Sequence, residues 1–437
     1  MLAALLLSCA APISRVEESV YEKDVAFALA EIEKQCGVFF ETKKIDWKKV
    51  EKEFTAAART VKTDQDELVL LTRLLARLED GHAAVQRGPK TKDLEWPKDG
   101  PYGVKGELQG CGMFWCRVGK KLYVKNVWNA AQQVGLEAGS EILTVDGVPA
   151  AKWLDARIAN LRETYAFSTD HQAFFYACHW GLAEPAGTRI ELELKDPKGK
   201  PKKRTITYSK GNPTPWGPAF FPENLASTVD LNFGLLPSGA AYVHVRRSKG
   251  DLPEQMDEAL AKIGAAPGLV LDFRGNSGGG FDHEAFLGRF VPKGEKLAFG
   301  NTYESTGAHP YGGPIVAIVD ATVRSAGETA AGIFKEDGRA YMIGESPTAG
   351  MSSQKSTIEL PSHLFSLYVS TSSNKQRFNG GKGIEGIGVI PHEIVEYDPK
   401  DLAAGVDTLI ARADALLGKF PQDEVPYKAE KVAAPKR

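Results

Sequence analysis

The segment at residues 314–334 constrains the fold of this chain most, because a hydrophobic run passes through a short polar turn into alanine-rich sequence. The hydrophobic run fills 314–319, and the turn reads Asp-Ala-Thr-Val-Arg-Ser-Ala-Gly-Glu-Thr at 320–329. This pattern predicts a strand, a sharp turn and a helix that begins at or just after Ser325. The Ser325 hydroxyl would lie at a helix N-terminus, where N–H groups and the helix dipole favour negative charge. Ser325 is therefore either a nucleophile or an N-cap residue.

Length and charge narrow the class of protein. With 437 residues the chain favours two or three domains. Its formal net charge of −2 gives no electrostatic footprint for nucleic acid, so no nucleic-acid partner is expected. Apolar residues make up 43% of the chain, as in ordinary globular folds, and after the N-terminus no apolar run reaches the length of a membrane span.

Residues 1–15 predict an export signal. An apolar stretch at 2–7 is followed by Ser-Cys-Ala-Ala-Pro at 8–12, which looks like the end of a secretory signal. The run Leu-Leu-Ser-Cys also resembles a bacterial lipobox, in which Cys9 becomes the lipidated first residue, although the basic n-region is missing and Leu7 is large. The alternatives are a signal that is simply cleaved and a buried N-terminal helix. We expect an exported, periplasmic or cell-envelope protein, lipid-anchored to the membrane if Cys9 is modified.

The remaining sequence divides by its periodicity. Residues 16–95 carry 3.6-period apolar faces and predict a helical domain. Residues 98–210 contain alternating strands and a hairpin, with a mainly helical segment at roughly 151–186. Residues 215–420 alternate strands with helices and predict an α/β layer, and residues 421–437 are charged and proline-bearing, which is typical of disorder.

The four cysteines beyond Cys9 are best interpreted as scattered buried thiols, although four could form two disulfides in an oxidising compartment. They are Cys36, Cys111, Cys116 and Cys178. A metal site from His171, Cys178 and His179 is an alternative to core or surface histidines, which the pattern favours. The sequence contains no His-Glu-x-x-His helix and no paired-cysteine knuckle, so we expect neither a metal nor another cofactor.

A glycine run follows the buried strand at 269–273. Residues 274–280 read Arg-Gly-Asn-Ser-Gly-Gly-Gly and lack the Gly-Lys-Ser/Thr ending of a phosphate loop. Backbone N–H groups in such a run can instead converge on an oxyanion, as acyl transfer requires.

A serine nucleophile needs a base, because its hydroxyl is inert at neutral pH. His82 follows a predicted helix in an Asp-Gly-His turn and titrates near neutrality. Glu385 lies among glycines and apolar residues in Gly-Ile-Glu-Gly-Ile-Gly-Val, and an acid in such surroundings needs a partner. His82 alone is also consistent with a structural residue at a helix end.

Two segments of the strand-rich region resemble a PDZ domain. Residues 135–147 look like its central signature. The other segment resembles its carboxylate-binding loop, whose N–H groups hold a peptide C-terminus. That loop consists of Gly110, Cys111, Gly112, Met113 and Phe114.

Six motifs, in family order over roughly residues 20–415, resemble the tricorn-core and C-terminal processing peptidases, a family of serine proteases. They are Asp80-Gly81-His82, the PDZ signature, 272–279, Ser325-Ala326-Gly327-Glu328, Gly344-Glu345 and 384–391. The resemblance implies a crotonase-like α/β protease core behind the helical and PDZ-like modules. It also implies a Ser325, His82 and Glu385 triad with an oxyanion hole from the N–H groups of Gly278 and Ala326, with Gly279 as substitute.

The family also has a Ser-Lys style of catalysis, in which a lysine follows the glycine that here is Gly350. That position is Met351, so the resemblance favours the Ser-His-Glu style, and Lys355 is interpreted as a strand-surface residue. His392 stands where the family commonly has aspartate and is a second histidine near Glu385. The expected function is an exported serine endopeptidase or carboxy-terminal processing protease that acts on polypeptides. The alternatives are a non-catalytic peptide- or lipid-binding protein on the same fold and a crotonase-type acyl-CoA enzyme.

Overall fold

The structure, a computed structural model, describes residues 18–97, 108–209, 217–297, 302–373, 377–425 and 429–431. The predicted export signal and lipidation of Cys9 lie outside these residues. Within the described part of the chain, no helix combines the length and the apolar character needed to cross a bilayer.

The N-terminal module is helical, as its periodicity predicts. The Ser19 hydroxyl and the Glu22 carboxylate form a capping box at the first helix, and Asp46 caps the third. Trp47 is buried in the core of this module. A short strand follows the last helix. The elements are α1 (Val20–Cys36), α2 (Phe40–Lys43), α3 (Trp47–Ala58), α4 (Asp64–Ala76) and β1 (Ala84–Arg87).

The middle module is a sheet whose strands lie in the order β3-β4-β5-β8-β9. Two helices are inserted in the chain between β6 and β8. The predicted hairpin around residues 196–199 is present as the antiparallel pair β8 and β9. The elements are β2 (Leu108–Gln109), β3 (Met113–Val118), β4 (Lys121–Val127), α5 (Asn129–Gln133), β5 (Glu141–Val145), β6 (Val148–Pro149), α6 (Ala150–Leu161), α7 (Asp170–Ala177), β7 (Glu184–Pro185), β8 (Arg189–Lys195) and β9 (Pro201–Thr207).

The third module alternates strands with helices, and fully buried residues fill its central strands. Residues buried on both faces are typical of a parallel sheet covered by helices. The elements up to the site are β10 (Ala226–Ser227), β11 (Leu231–Leu235), β12 (Ala241–Val245), α8 (Leu252–Ile263), β13 (Leu269–Asp272), α9 (His283–Gly288), β14 (Glu295–Leu297), β15 (Tyr303–Glu304), β16 (Ile315–Val319), α10 (Ala326–Glu336) and β17 (Tyr341–Gly344).

The last described elements are β18 (Ser353–Glu359), β19 (Phe365–Ser373), β20 (Glu393–Ile394), α11 (Pro399–Ala403), α12 (Thr408–Leu417) and β21 (Ala429–Lys431). The main sheet has the order β10-β11-β12-β13-β16-β17-β20 and is parallel from β12 to β20. Helices α8, α9 and α10 cover one face, and α11 and α12 cover the other.

Two features differ from the predicted domain boundaries. The hairpin β18–β19 lies within the predicted protease core at 215–420, yet it pairs with β1 and packs on the N-terminal helices. Residues 429–431, in the predicted disordered tail, pair with β14. Both contacts join segments far apart in sequence, which local periodicity does not report.

Candidate active site

Ser325 lies between the end of β16 and the start of α10, as the sequence predicts. Its backbone has φ 55° and ψ −127°, which a residue with a side chain rarely adopts. Strained conformations of this kind persist where the surroundings hold them, and they are common at active sites. The side chain is half-buried at the helix N-terminus, so its hydroxyl is placed for a reaction that builds negative charge.

Glu328 holds this turn in place from the first turn of α10. Its carboxylate accepts the Ser325 N–H at 3.1 Å, the Thr348 hydroxyl at 2.6 Å and the N–H groups of Gly350 and Met351 at 2.7 and 2.9 Å. Burial raises the pKa of Glu328 to about 8, and the Thr348, Gly350 and Met351 donors act in the opposite direction. Four donors on two oxygens fit a carboxylate that acts as an acceptor only.

The glycine run 274–280 follows β13, the parallel neighbour of β16, so it reaches the same edge of the sheet. The Arg324 N–H donates to the Asn276 carbonyl at 2.9 Å and ties the run to the serine turn. A Cβ atom on Gly278 would lie 2.9 Å from the Ser325 Cβ and 3.0 Å from the Ala326 nitrogen. Glycine is therefore needed there for close approach, and Gly278 and Ala326 lie together as predicted.

The predicted oxyanion donors are not equally available. The Gly278 N–H donates to the Asn276 side-chain oxygen at 2.9 Å. In this conformation that donor is already engaged, so an oxyanion would have to displace the Asn276 side chain to use it. Gly279 takes φ 145° and forms an isolated bridge with Ser248, which places it on the next turn of the same loop.

His82 lies in the turn before β1, and Asp80 fixes that turn. Asp80 accepts the His82 N–H at 2.9 Å, the Ser370 hydroxyl at 3.0 Å and the Ser370 N–H at 2.8 Å. Ser370 belongs to β19, so the histidine turn is attached to the hairpin that packs on the N-terminal helices. Burial lowers the pKa of His82 to about 4, and the charges of Lys355 and Arg324 act in the same direction.

Glu385 is buried with only 1% of its surface exposed, and its Oε1 atom is partnered. Lys43 Nζ lies 2.8 Å from Oε1, and the Ser168 hydroxyl donates to the same atom at 3.3 Å. Burial raises the pKa of Glu385 to about 7, with Asp80 adding to the increase and Lys43 opposing it. The acid therefore has the partner that its apolar sequence surroundings require.

The structure brings His82 and Glu385 together. A ring nitrogen of His82 and carboxylate oxygens of Glu385 and Asp80 all lie within 4.8 Å of one another. Among the described residues, His82 Nδ1 and Glu385 Oε2 are both buried and have no hydrogen-bond partner. A buried polar atom without a hydrogen-bond partner is costly, and a hydrogen bond between these two atoms would satisfy both.

Three further residues bear on the alternatives to a Ser-His-Glu triad with His82 as base: Met351, Lys355 and His392. Met351 packs against the His82 turn, since a Cβ atom on Gly81 would lie 2.8 Å from its sulfur. Lys355 lies opposite Ser370 in β18, half-buried, and acts on His82 through its charge. His392 accepts the Met342 N–H at 2.9 Å and stacks on Tyr341, so its ring is engaged at β17.

The predicted peptide-binding loop is closed in this structure. All five residues from Gly110 to Phe114 are buried. Beyond the loop, the Trp115 N–H donates to the Cys178 carbonyl at 3.1 Å, so the end of α7 occupies this edge of β3. The first half of β4 pairs with both β3 and β5 and cannot take an added strand. Peptide binding there would require α7 to move.

The histidines of the helical segment lie against backbone carbonyls, and the described cysteines are unbonded to one another. His171 Nε2 lies 2.8 Å from the Thr348 carbonyl, and His179 Nδ1 lies 2.6 Å from the Phe175 carbonyl. Cys36, Cys111, Cys116 and Cys178 are buried free thiols, which confirms the prediction of scattered thiols.

Three residues of the site were not assigned roles from the sequence: Lys43, Ser168 and Glu328. Glu328 has a local signal, the Ser-x-x-Glu spacing of a capping box at the start of α10. Lys43 and Ser168 reach Glu385 across 342 and 217 positions. No local pattern marks such contacts.

Comparison with known proteins identifies what the chain is similar to. Residues 239–395 match the model of peptidase family S41, and this range runs from just before β12 to β20. A carboxyl-terminal-processing protease of Picosynechococcus sp. is 22% identical over 380 residues, which cover 84% of this chain and 82% of that protein.

Solved structures show the same fold. Mature CPAF superposes with a TM-score of 0.63 at 12% identity, covering 94% of this chain and all of that chain. Mature CPAF complexed with lactacystin gives a TM-score of 0.61 at 12% identity, covering 93% and 99%. The described fold is thus the mixed α/β fold of such proteases. The chain therefore contains a region of peptidase family S41 at residues 239–395, is similar to a carboxyl-terminal-processing protease, and is a serine-type peptidase.

Proposed function

We propose that this peptidase is an exported endopeptidase that hydrolyses polypeptides through Ser325, His82 and Glu385. The observation that carries the proposal is the close approach of the His82 ring and the Glu385 carboxylate, together with the lack of a hydrogen-bond partner for the buried His82 Nδ1 and Glu385 Oε2 among the described residues. A triad needs this pairing, because the acid fixes the imidazole tautomer and stabilises the imidazolium. The strained Ser325 and the nearby Gly278 supply the other half of the site.

The reaction follows from the roles of these groups. His82 Nε2 accepts the Ser325 proton as the hydroxyl attacks the scissile carbonyl, and Glu385 accepts the bond from His82 Nδ1. The oxyanion is stabilised by the Ala326 N–H together with the Gly279 N–H, or with the Gly278 N–H once Asn276 releases it. His82 then protonates the leaving amine, and a water molecule hydrolyses the acyl-enzyme by the same steps in reverse order.

The modules in front of the protease sheet complete the proposal. The parallel sheet β12 to β20 would correspond to a crotonase-like core, and residues 98–210 to a PDZ-like domain with a helical insertion. Export through residues 1–15, with lipidation of Cys9 as an alternative to simple cleavage, is part of the proposal. The name of the Picosynechococcus relative, a carboxyl-terminal-processing protease, suggests that the substrate is read at its C-terminus.

Labelling with a fluorophosphonate followed by peptide mapping tests the nucleophile. We expect the label on Ser325 and loss of both labelling and peptide hydrolysis in Ser325→Ala, with the fold retained. The matched control is Ser19→Ala, which removes a helix N-cap far from the site at a cost of about 1 kcal/mol and leaves hydrolysis intact. Full activity of Ser325→Ala would mean that Ser325 is only an N-cap residue.

A further inference from the structure

Lys43 brings a positive charge from the N-terminal helical module into the protease site. It is the last residue of α2, and its side chain is 1% exposed. Its ammonium donates to Glu385 Oε1 at 2.8 Å and to the Glu79 carbonyl at 2.7 Å. Because a buried ammonium is costly unless it is paired, these two bonds make its position well defined.

The stem of Lys43 is held as closely as its charge. A Cβ atom on Gly386 would lie 3.2 Å from Lys43 Cγ and Cε, so the aliphatic chain packs directly on the backbone next to Glu385. The Lys43 ammonium also lies 5.1 Å from the centre of the Phe39 ring, within range of a cation–π contact. The N-terminal module therefore contacts both the side chain and the backbone at residues 385–386.

The groups around Glu385 come from four directions, and the titratable ones come from three of them. Asp80 and His82 face it from the turn before β1, Lys43 from α2, and Glu328 from α10; the neutral Ser168 hydroxyl completes the contacts from the turn before α7. Two of these neighbours are carboxylates, which disfavour a further anion. Among the described residues, Lys43 is the cation in direct contact with Glu385.

We infer that Lys43 is a positioning residue for the catalytic acid: it keeps Glu385 ionised and engages Oε1, so that Oε2 is left for His82 Nδ1. This inference rests on the proposed triad and deepens it, because it makes the N-terminal helical module part of the catalytic site. Lys43 does not touch the reacting atoms. Its direct contact is with Glu385, and its charge has only a lesser effect in lowering the pKa of His82.

The inference has a defined pH signature. Glu385 in its protonated form gives His82 no anion, so the competent state needs Glu385 deprotonated and His82 neutral. Burial already raises the pKa of Glu385 to about 7, and Lys43 opposes this increase. Removal of Lys43 raises the pKa of Glu385 further, so the rise of activity with pH moves to higher pH.

The kinetic test compares Lys43→Met with Lys48→Met, which removes an exposed lysine of α3. We expect kcat of Lys43→Met at pH 6 to fall at least tenfold more than kcat at pH 9, with KM within twofold of the wild type. Lys43→Gln, which keeps a donor and removes the charge, should move the profile in the same direction. Lys48→Met should match the wild type at every pH.

A spectroscopic test separates this inference from the proposed function, because it needs no turnover. In a Ser325→Ala background, the nitrogen shifts of His82 are followed against pH and assigned with His82→Asn. We expect a transition as Glu385 ionises, with its midpoint raised by at least one pH unit in Lys43→Met and Lys43→Gln. In Glu385→Gln the transition should disappear, with or without Lys43.

An unchanged midpoint in both Lys43 variants overturns the inference even if Ser325 proves to be the nucleophile. A shift of equal size in the Glu385→Gln background overturns it as well, because Lys43 would then act on His82 directly. Active enzyme without labelling at Ser325 would instead refute the proposed function, and the His82 titration would still report on the Lys43–Glu385 pair.

Discussion

At Ser325 the backbone is held in a conformation that costs on the order of 1–3 kcal/mol for a residue with a side chain. The Glu328 carboxylate offsets part of this cost by accepting the Ser325 N–H. The backbone of His82 is likewise fixed, because its N–H donates to Asp80 and Asp80 also accepts the Ser370 N–H. Both residues are therefore positioned by bonds to their backbones, which leaves the hydroxyl and the imidazole for the roles proposed for them.

The pH dependence of activity is the first prediction at this scale. Burial lowers the pKa of His82 to about 4, so the imidazole is neutral above that pH, and burial raises the pKa of Glu385 to about 7. The competent pair therefore forms as Glu385 loses its proton. We expect kcat/KM to rise through a single apparent ionisation near pH 7 that belongs to the pair.

Variants assign that ionisation. His82→Ala and Glu385→Gln should both lose activity, by roughly a thousandfold or more for the base. Lys355→Ala should keep it, because Lys355 acts by lowering the pKa of His82, whose imidazole is already neutral where Glu385 ionises. Activity lost only in the Lys355 variant would assign the chain to the Ser-Lys style instead.

Independence from metal is the second prediction at this scale, although Asp80, His82 and Glu385 lie close enough to share an ion. Both Asp80 oxygens accept bonds from Ser370 or His82, and Glu385 Oε1 faces Lys43. Too few ligand atoms are left for a tetrahedral zinc site, and the nearby lysine ammonium opposes a cation. Chelation with EDTA should leave hydrolysis unchanged; inactivation that added zinc reverses would contradict this.

Among the elements, α10 and the loop at 348–351 act as one unit. Glu328 joins the first turn of the helix to the loop, and the loop in turn contacts Gly81 through Met351. The serine turn and the histidine turn are thus connected through a single buried carboxylate. A disturbance of this carboxylate should reach both.

Glu328→Gln is the prediction for this unit. An amide replaces one acceptor oxygen by a donor, so two of the four donors lose their partner. We expect a loss of about 2–3 kcal/mol in the free energy of unfolding and at least a tenfold loss of kcat, measured by urea denaturation and peptide hydrolysis. The matched control is Glu258→Gln in an exposed pair of α8, which should change stability by about 0.5 kcal/mol or less.

The elements also show what sequence predicts and what it does not. The serine turn, the glycine run and the histidine turn were predicted because each is marked by residues within about ten positions. The attachment of β18–β19 to the N-terminal helices was not, because it depends on the pairing of β1 with β19 across some 280 residues. Lys43 was missed for the same reason: a lysine in a helical module looks like a solvated charge until the fold brings Glu385 to it.

Across the whole molecule, all three modules meet at the site. The N-terminal module supplies Lys43 and His82, the protease sheet supplies Ser325 and Glu385, and the middle module supplies Ser168. Helix α7 of the middle module also reaches the loop at 348–351. Thr169 donates to the Ala349 carbonyl at 2.9 Å, and the Gln172 amide contacts the Met351 sulfur at 3.1 Å. The middle module therefore contacts the loop at 348–351, which Glu328 joins to the turn at Ser325.

The last prediction concerns what residues 98–210 do with a substrate. One end of α7 contacts the loop at 348–351. The Cys178 carbonyl at its other end occupies the edge of β3 beside the Gly110–Phe114 loop. A peptide that paired with this edge as an added strand would displace the end of α7. Binding of the peptide and movement of α7 would therefore occur together.

Peptides that end in a free carboxylate are therefore expected to bind more tightly than the same peptides amidated, because the loop N–H groups would hold the carboxylate. A charge-assisted bond of about 1.5–3 kcal/mol corresponds to at least about a tenfold difference in Kd. Binding is measured on Ser325→Ala and turnover on the wild type. Equal behaviour of the two peptide series would show that this module does not read the C-terminus. The buried loop and the Trp115–Cys178 bond would then be permanent packing, and the middle module would act on the site only by holding Ser168 against Glu385.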